Sequence, residues 1–593
     1  MEEILKKLYS QPLSASRTGL FYNTFAYPTK IAPESIAVYI AAHTNPGDTV
    51  LDVFGGSGST GLAALMCEHP TQTVLDIAKE IGVSPMWGAR NAVIYEIGTY
   101  GAFASRVMTN PPSKEAFKSA VQQLLLLADN DLSGIYNVID PNGDIGTIRH
   151  VIWSDVLRCP SCKREFTYYE GMVRRNPMQI LKIGKCPYCG HSIEPDNHNY
   201  VLETVNDNLL GHSITRRKRL PIYIYGETNS VKWSRSANED DVERFQKIEN
   251  SDYTYSMKPR KIEWGDLYRS GYHTGITHLH HFYTKRNYEV MCYLWNKAVI
   301  YPADIRNAIR LLLLSYNSAH ATLMTRVVVK KNSKDFVLTG AQSGVLYVSS
   351  LPVEKNILIG IKRKSNYFAK AFEYVNNCSG HVEIINASSQ HLSQSDNSVD
   401  YVFTDPPFGD FIPYAEVNQI NELWLSSKTN RKNEIIISNA QNKSIDYYQK
   451  MMTDVFAEVY RVLKDGANAT VVFHASKAAI WNALSSAYSS AGFRVETTAT
   501  LKRNQESFKQ VVSEFSVQGD PLILLKKGKA EDHHIAAYKL LDAAIANQHD
   551  CTKHDERYIY ANYVSMCLEQ STPVELDAKT AYNYILRNLG ENV

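Results

Sequence analysis

Apolar residues in this chain gather into short runs that alternate with stretches of helical spacing, the pattern of strands laid side by side and joined by helices. Thr49-Val50-Leu51-Asp52-Val53 predicts a buried strand, and Phe54-Gly55-Gly56-Ser57-Gly58-Ser59-Thr60-Gly61 turns it into the helical pattern Leu62-Ala63-Ala64-Leu65-Met66. Ala92-Val93-Ile94-Tyr95-Glu96-Ile97 predicts a second strand. A third, Val399-Asp400-Tyr401-Val402-Phe403-Thr404, runs into Asp405-Pro406-Pro407-Phe408 and must stop there, because neither proline has an N–H to give the ladder. A helical pattern at 458–463 and the strand Ala469-Thr470-Val471-Val472-Phe473 follow.

Roughly 275 residues lie between the second strand and the region that leads to the third. Connections inside an α/β domain are a few residues long, so this interval must fold as inserted structure. The expected plan is an α/β sheet domain in two halves, 1–106 and 381–530. Between them come a helical connector (107–150), a small cysteine-bearing unit (151–200), and a mixed and helical region (201–380) whose section 285–326 has long helical periodicity. Residues 531–593 keep helical spacing, as in Ala536-Ala537-Tyr538-Lys539-Leu540-Leu541, and read as a helical appendage.

The 593 residues are 44% hydrophobic, enough to bury a large core, and no apolar run approaches the roughly 18 residues of a membrane span. With a charged amino terminus and no signal-like core, the expected location is cytoplasmic, away from membranes. The net charge of +2 leaves any nucleic-acid surface to be local.

Four of the nine cysteines form two knuckles, Cys159-Pro160-Ser161-Cys162 and Cys186-Pro187-Tyr188-Cys189, 23 residues apart. That spacing lies slightly beyond the usual zinc-ribbon range of about 15–20. Two such knuckles can close a four-sulfur shell on a structural Zn2+ with no position left for water, the alternative being a redox pair. Cys67, Cys292, Cys378, Cys551 and Cys567 are scattered and read as packing residues.

The chemistry concentrates at two places. Asp405, the proline-fixed carbonyl of Pro406 and the Phe408 ring stand where a strand ends, the edge at which open α/β sheets bind ligands. A carboxylate and a carbonyl accept the two hydrogens of an amino group, and a ring stacks on a flat base. The glycine turn lets a ligand approach backbone and a helix N-terminus. Gly56, Gly58 and Gly61 also fit G-x-G-x-x-G, so a dinucleotide domain is a rival. Glu96, placed to hold a ribose diol, follows Gly61 by 35 positions rather than the usual 20 or so.

Together these motifs resemble the S-adenosylmethionine-dependent amino-methyltransferases of DNA, and within them the adenine-specific DNA methylase group with an internal zinc ribbon. The likeness extends to Tyr27-Pro28-Thr29-Lys30-Ile31-Ala32-Pro33, to Leu346-Tyr347-Val348-Ser349-Ser350-Leu351-Pro352-Val353-Glu354-Lys355-Asn356, and to Gly409, Asp410, Tyr414 and Glu416. The resemblance implies a Rossmann-like methyltransferase sheet split by the insertion, with target recognition inside it. It implies S-adenosylmethionine held by Pro28, Thr29, Lys30, Asp52, Phe54, Gly55, Gly56, Gly58 and Glu96. Asp405, Pro406, Pro407 and Phe408 are then the catalytic set, acting on a base flipped out of the duplex.

The implied activity is site-specific methylation of adenine N6 in double-stranded DNA, in a restriction or defence setting with partner proteins. N4-cytosine methylation, RNA guanine-N2 methylation and a non-catalytic DNA-binding defence component are the alternatives; Asp405 favours adenine over cytosine by family pattern. Local charge offers Thr215-Arg216-Arg217-Lys218-Arg219, with aromatics at Tyr223, Tyr225 and Trp233, as a DNA-facing run. Lys362-Arg363-Lys364 could equally be a solvated helix face. Of the four histidines His273, His278, His280 and His281, His278 and His280 would face one way on a strand and could make half of a metal site, with packing or polar contacts near the cleft the preferred reading.

Overall fold

A computed structural model describes residues 2–10, 13–15, 18–196, 198–331, 333–503, 520–529, 533–547 and 556–589, so Cys551 lies outside the described residues. Eight strands form its largest sheet: β1 (Leu13–Ala15), β2 (Thr49–Asp52), β3 (Asn91–Tyr95), β4 (Val382–Ile385), β5 (Val399–Thr404), β6 (Leu463–Val472), β7 (Phe493–Arg503) and β8 (Asp520–Lys527). Their order in space is β1-β7-β8-β6-β5-β2-β3-β4. Neighbours are parallel except in the two pairs made by β8.

From β2 the chain moves outward through β3 to β4, and from β5 it moves the other way to β6. The strand order therefore reverses between β2 and β5, which leaves a crevice at their carboxyl ends. In register, Tyr401 pairs with Val50 and Val402 with Leu51, so the two strands expire side by side. Side chains alternate across the pleat. Leu522 and Leu524 enter the core on one face, while Ile523 and Leu525 enter the core on the other.

The long interval between β3 and β4 folds onto the first face. Helices Lys114–Asp131, Lys285–Lys297, Ala303–Tyr316 and Ile357–Asn376 bury Phe117, Leu311, Leu314, Phe368 and Phe372 in the same core as Leu62 and Ile94. The helical section expected at 285–326 is broken at Pro302, which has no N–H for a continuing helix, and ends in the π-turn Asn317–Ala321. The interval also holds an antiparallel six-stranded sheet built on the strand Ile145–Arg158, with Arg219–Thr228 and Val353–Lys355 on either side. The far face of the central sheet is closed by helices that include Ala537–Ala546, Glu556–Glu569 and Ala578–Asn588, whose Leu541, Ile559, Tyr563 and Ile585 pack with Ile523 and Leu525. Among the described residues no helix is long and apolar enough to cross a membrane.

Candidate active site

The crevice opens as a cleft of about 1030 Å³. Its β2 wall is the glycine turn. Helix Ser59–Met66 begins after Gly58 at φ 77°, and a Cβ there would lie 2.7 Å from Ser105 Oγ. Gly56 takes φ 49°, and a Cβ on it would come 3.2 Å from the Tyr27 ring, filling space that the bare backbone leaves to a ligand.

Asp52 is buried beneath this turn. It accepts from Phe54 N–H at 3.0 Å, from Thr60 Oγ1 at 2.6 Å and from Thr404 Oγ1 at 2.8 Å. Since Thr404 precedes Asp405, one carboxylate joins the end of β2 to the end of β5. Glu96, just past β3, accepts from Gly56 N–H at 2.6 Å and Gly98 N–H at 2.5 Å. Burial raises its carboxyl to about 8 against the pull of those two N–H groups, with Asp52 and Glu422 adding to the rise.

Pro28, Thr29 and Lys30 line the cleft as the sequence proposed. Thr29 holds φ 58°, unusual for a β-branched residue, and its Oγ1 lies 2.8 Å from the Tyr414 hydroxyl. The Lys30 ammonium turns to the carbonyls of Phe21 (2.9 Å) and Phe25 (3.4 Å). Ser59 Oγ donates to the Ile31 carbonyl at 2.8 Å, tying this segment to the glycine turn.

On the β5 side Asp405 and Pro407 line the cleft together with Tyr414 and Asn418 of helix Tyr414–Leu425. The Pro407 carbonyl is engaged by Tyr448 Oη at 2.7 Å and Gly409 N–H at 3.0 Å. Pro406 is buried. Phe408 is 5% exposed, edge-on to Phe473 at 5.5 Å and beside Phe411 and His474, in the core behind the cleft rather than among the residues that line it. The structure thus brings Asp52, Phe54, Gly55, Gly56, Glu96, Asp405 and Pro407 around one space, while Gly58 does not line it.

Several lining residues escaped sequence reasoning. Tyr27 opens the Tyr-Pro-Thr-Lys segment with no role assigned to it from sequence, and its ring stacks between Tyr100 and Tyr414, 6.1 and 6.4 Å away. Ser389 donates to the Val53 carbonyl at 2.5 Å, and Glu434 accepts the Ala415 N–H at 2.9 Å. Only the position of Tyr27 beside the Pro-Thr-Lys segment carried a signal.

In the second candidate site, the four sulfurs of Cys159, Cys162, Cys186 and Cys189 lie within 4.8 Å of one another, with Cys159–Cys189 at 3.6 Å and Cys162–Cys186 at 3.7 Å. A tetrahedral Zn2+ with Zn–S bonds of about 2.3 Å spaces its sulfurs by about 3.8 Å, so the donor set fits that ion. The knuckles share a turn in which the residue after the second cysteine takes positive φ, Lys163 at 63° and Gly190 at 73°.

The basic run at 215–219 is internally neutralised. Arg217 and Arg219 bind the buried Asp155 at 3.0 and 2.8 Å, Arg216 binds Glu203 at 2.9 Å, and Lys218 binds Glu165 at 2.9 Å. The histidines meet a carboxylate that sequence spacing did not reveal: Asp207 Oδ2 lies 2.8 Å from His280 Nε2 and 2.7 Å from His281 Nε2. His281 Nδ1 accepts the Thr277 and His278 N–H groups at 3.1 and 3.3 Å, so Nε2 carries the ring proton and donates to Asp207. In this geometry His281 donates to Asp207, while the ligand atoms of Asp207, His280 and His281 lie within 4.8 Å of one another.

An Asp-Pro-Pro-Phe turn and a glycine turn thus stand side by side at the switch point of the sheet. The profile of the family described as DNA methylase, of the N6/N4 type, matches residues 3–70 and 399–576, the two stretches that carry the glycine turn and Asp405. The family implies S-adenosylmethionine as methyl donor and DNA as substrate. No curated protein matches the sequence. A solved structure titled "Crystal Structure of antibiotic-resistance methyltransferase Kmr" shares 14% identity over 30% of this chain and 72% of its own, with a TM-score of 0.15, too low to support an argument.

Proposed function

We propose that the protein methylates the N6 amino group of adenine in double-stranded DNA, after the base leaves the helix. The observation that carries this reading is the position of Asp405 on the strand next to the glycine turn, both facing one cleft. S-adenosylmethionine, when bound, supplies an electrophilic methyl group. The glycine turn and Tyr27 would hold its methionine end, and Glu96 its ribose.

Asp405 and the Pro406 carbonyl would accept the two amino hydrogens of the target. Adenine N6 is a poor nucleophile while its lone pair is delocalised into the ring, and two acceptors favour the pyramidal nitrogen that frees it. The Asp405 charge also favours the positive nitrogen that develops. Because the Pro407 carbonyl is occupied by Tyr448 and Gly409, the Pro406 carbonyl is the backbone acceptor we assign. Phe408, packed behind the turn, would support Asp405 and present at most its free edge to the base.

In this reading the central sheet is a Rossmann-like methyltransferase sheet split between β3 and β4. The insertion brings a structural Zn2+ on Cys159, Cys162, Cys186 and Cys189, together with target recognition by residues within 201–380.

The test is incubation with labelled S-adenosylmethionine and either duplex DNA or structured RNA, followed by nucleoside mass spectrometry. N6-methyladenine in DNA is expected, lost in Asp405→Ala while cofactor binding persists. N4-methylcytosine would move the reading to the other base, and label in RNA alone would overturn it.

A further inference from the structure

A second group of basic residues forms a different surface from the run at 215–219. Lys362, Arg363 and Lys364 lie on helix Ile357–Asn376, with Lys362 and Arg363 exposed. Lys364 Nζ donates to the Asn23 carbonyl at 2.7 Å, and Lys30 Nζ to the Phe21 carbonyl at 2.9 Å, so two ammonium groups grip one loop. Lys355, at the end of strand Val353–Lys355, holds His320 Nδ1 at 2.9 Å.

Residues from three separate segments thus bring cations to one place, and Glu34 is the carboxylate that faces Lys30. The crowding is visible in their proton affinities. Burial and then Arg363 lower Lys355 and Lys364 to about 8, and burial and then Lys364 lower Lys30 to about 7. His320, buried and facing Lys355, Lys364 and Arg363, falls to about 3. Like charges with a single facing carboxylate repel, and an external polyanion would offset that cost.

Ile359, Arg363 and Tyr367 follow one another at four-residue spacing on the helix, and Ile359 and Tyr367 are 49% and 47% exposed. The segment containing Lys30 lines the cleft, so the charged surface runs into the active site.

We infer that the surface formed by Lys355, Lys362, Arg363 and Lys364 around the loop at 21–30 is the dock for the DNA phosphate backbone next to the target base. The inference rests on the DNA reading above. Each phosphate contact contributes about 0.9 to the slope of log K against log salt, or roughly eightfold in affinity at 0.1 M salt.

The test is binding of labelled duplex DNA to the full chain, followed by fluorescence polarisation between 50 and 300 mM salt, for the parent, Lys362→Ala/Arg363→Ala and Lys218→Ala. The double variant should lose about sixtyfold in affinity at 0.1 M salt and lower the slope by about 2. Lys218→Ala, from the neutralised run, should change neither, and S-adenosylmethionine affinity should hold in all three. A parent that binds DNA while the double variant keeps its slope, or an equal loss in Lys218→Ala, overturns the dock alone. A parent that binds no DNA at low salt overturns the DNA reading with it.

Discussion

Cofactor affinity should depend on pH through Glu96. Its carboxyl is buried and raised to about 8, so near neutrality much of the free protein holds it protonated. Its two oxygens already accept the Gly56 and Gly98 N–H groups, and a ribose diol would add two O–H donors to the same carboxylate. Donors favour the ionised form, so binding selects it and releases a proton. Below pH 8 each unit then costs about 1.4 kcal/mol, or tenfold, in apparent affinity, giving at most about a hundredfold tightening from pH 6 to pH 8 and a plateau above.

The ligand's own α-amino group titrates near 8 as well. The slope is therefore read as the difference between the parent and Glu96→Gln, by isothermal titration calorimetry in buffers of different ionisation enthalpy. About one more proton should be released by the parent near pH 6.5. Identical slopes and proton counts in the two proteins would refute the argument. The same raised carboxyl sets a sign for folding. The folded state keeps a proton that the unfolded chain gives up above about pH 4.5, so this group's contribution to stability declines between pH 4.5 and pH 8.

Asp52→Ala strands three donors, the Phe54 N–H and the Thr60 and Thr404 hydroxyls, at about 1–3 kcal/mol each. A loss of about 3–6 kcal/mol in chemical denaturation is expected, with Asp52→Asn costing less because its carbonyl still accepts; a loss under about 1 kcal/mol would contradict it. Purified protein should contain close to one zinc per chain by elemental analysis, and Cys159→Ser or a strong chelator should remove it. The ribbon has a core of its own only in Leu157, Cys159, Phe166, Cys186 and Ile193, so metal loss should speed hydrogen exchange across 159–193 and spare the central sheet.

What the sequence made legible follows from how local each signal is. The strand that ends at Asp405 and the turn at Phe54–Gly58 could be read because prolines and glycines force backbone geometry within a few residues. The two C-P-x-C knuckles could be read for the same reason, down to which four sulfurs meet. Partnerships across the fold could not. Nothing near Arg217 or Arg219 announces Asp155, some 60 residues earlier, which turns a basic run into a buried ion-pair cluster. Nothing near His280 announces Asp207. The strand Ile145–Arg158 was equally hidden, since eight of its residues from His150 to Leu157 are buried without interruption and alternation is lost.

One residue shows why the insertion and the cleft must be considered together. Glu416 belongs to the run that follows Asp405, and the sequence assigns it no role. It is 3% exposed and accepts the N–H groups of Gly265 at 2.7 Å and Leu267 at 3.1 Å, both from the insertion. Gln419, one turn on, accepts the Glu263 N–H at 2.9 Å, and Arg431 donates to the Glu263 carbonyl at 2.9 Å. The helix that presents Tyr414 and Asn418 to the cleft is thereby fastened to residues 263–267, and Tyr414 is in turn bonded to Thr29 on the cofactor side. The chain interval that separates the two halves of the sheet in sequence is thus, in space, fastened to the helix that lines their shared cleft.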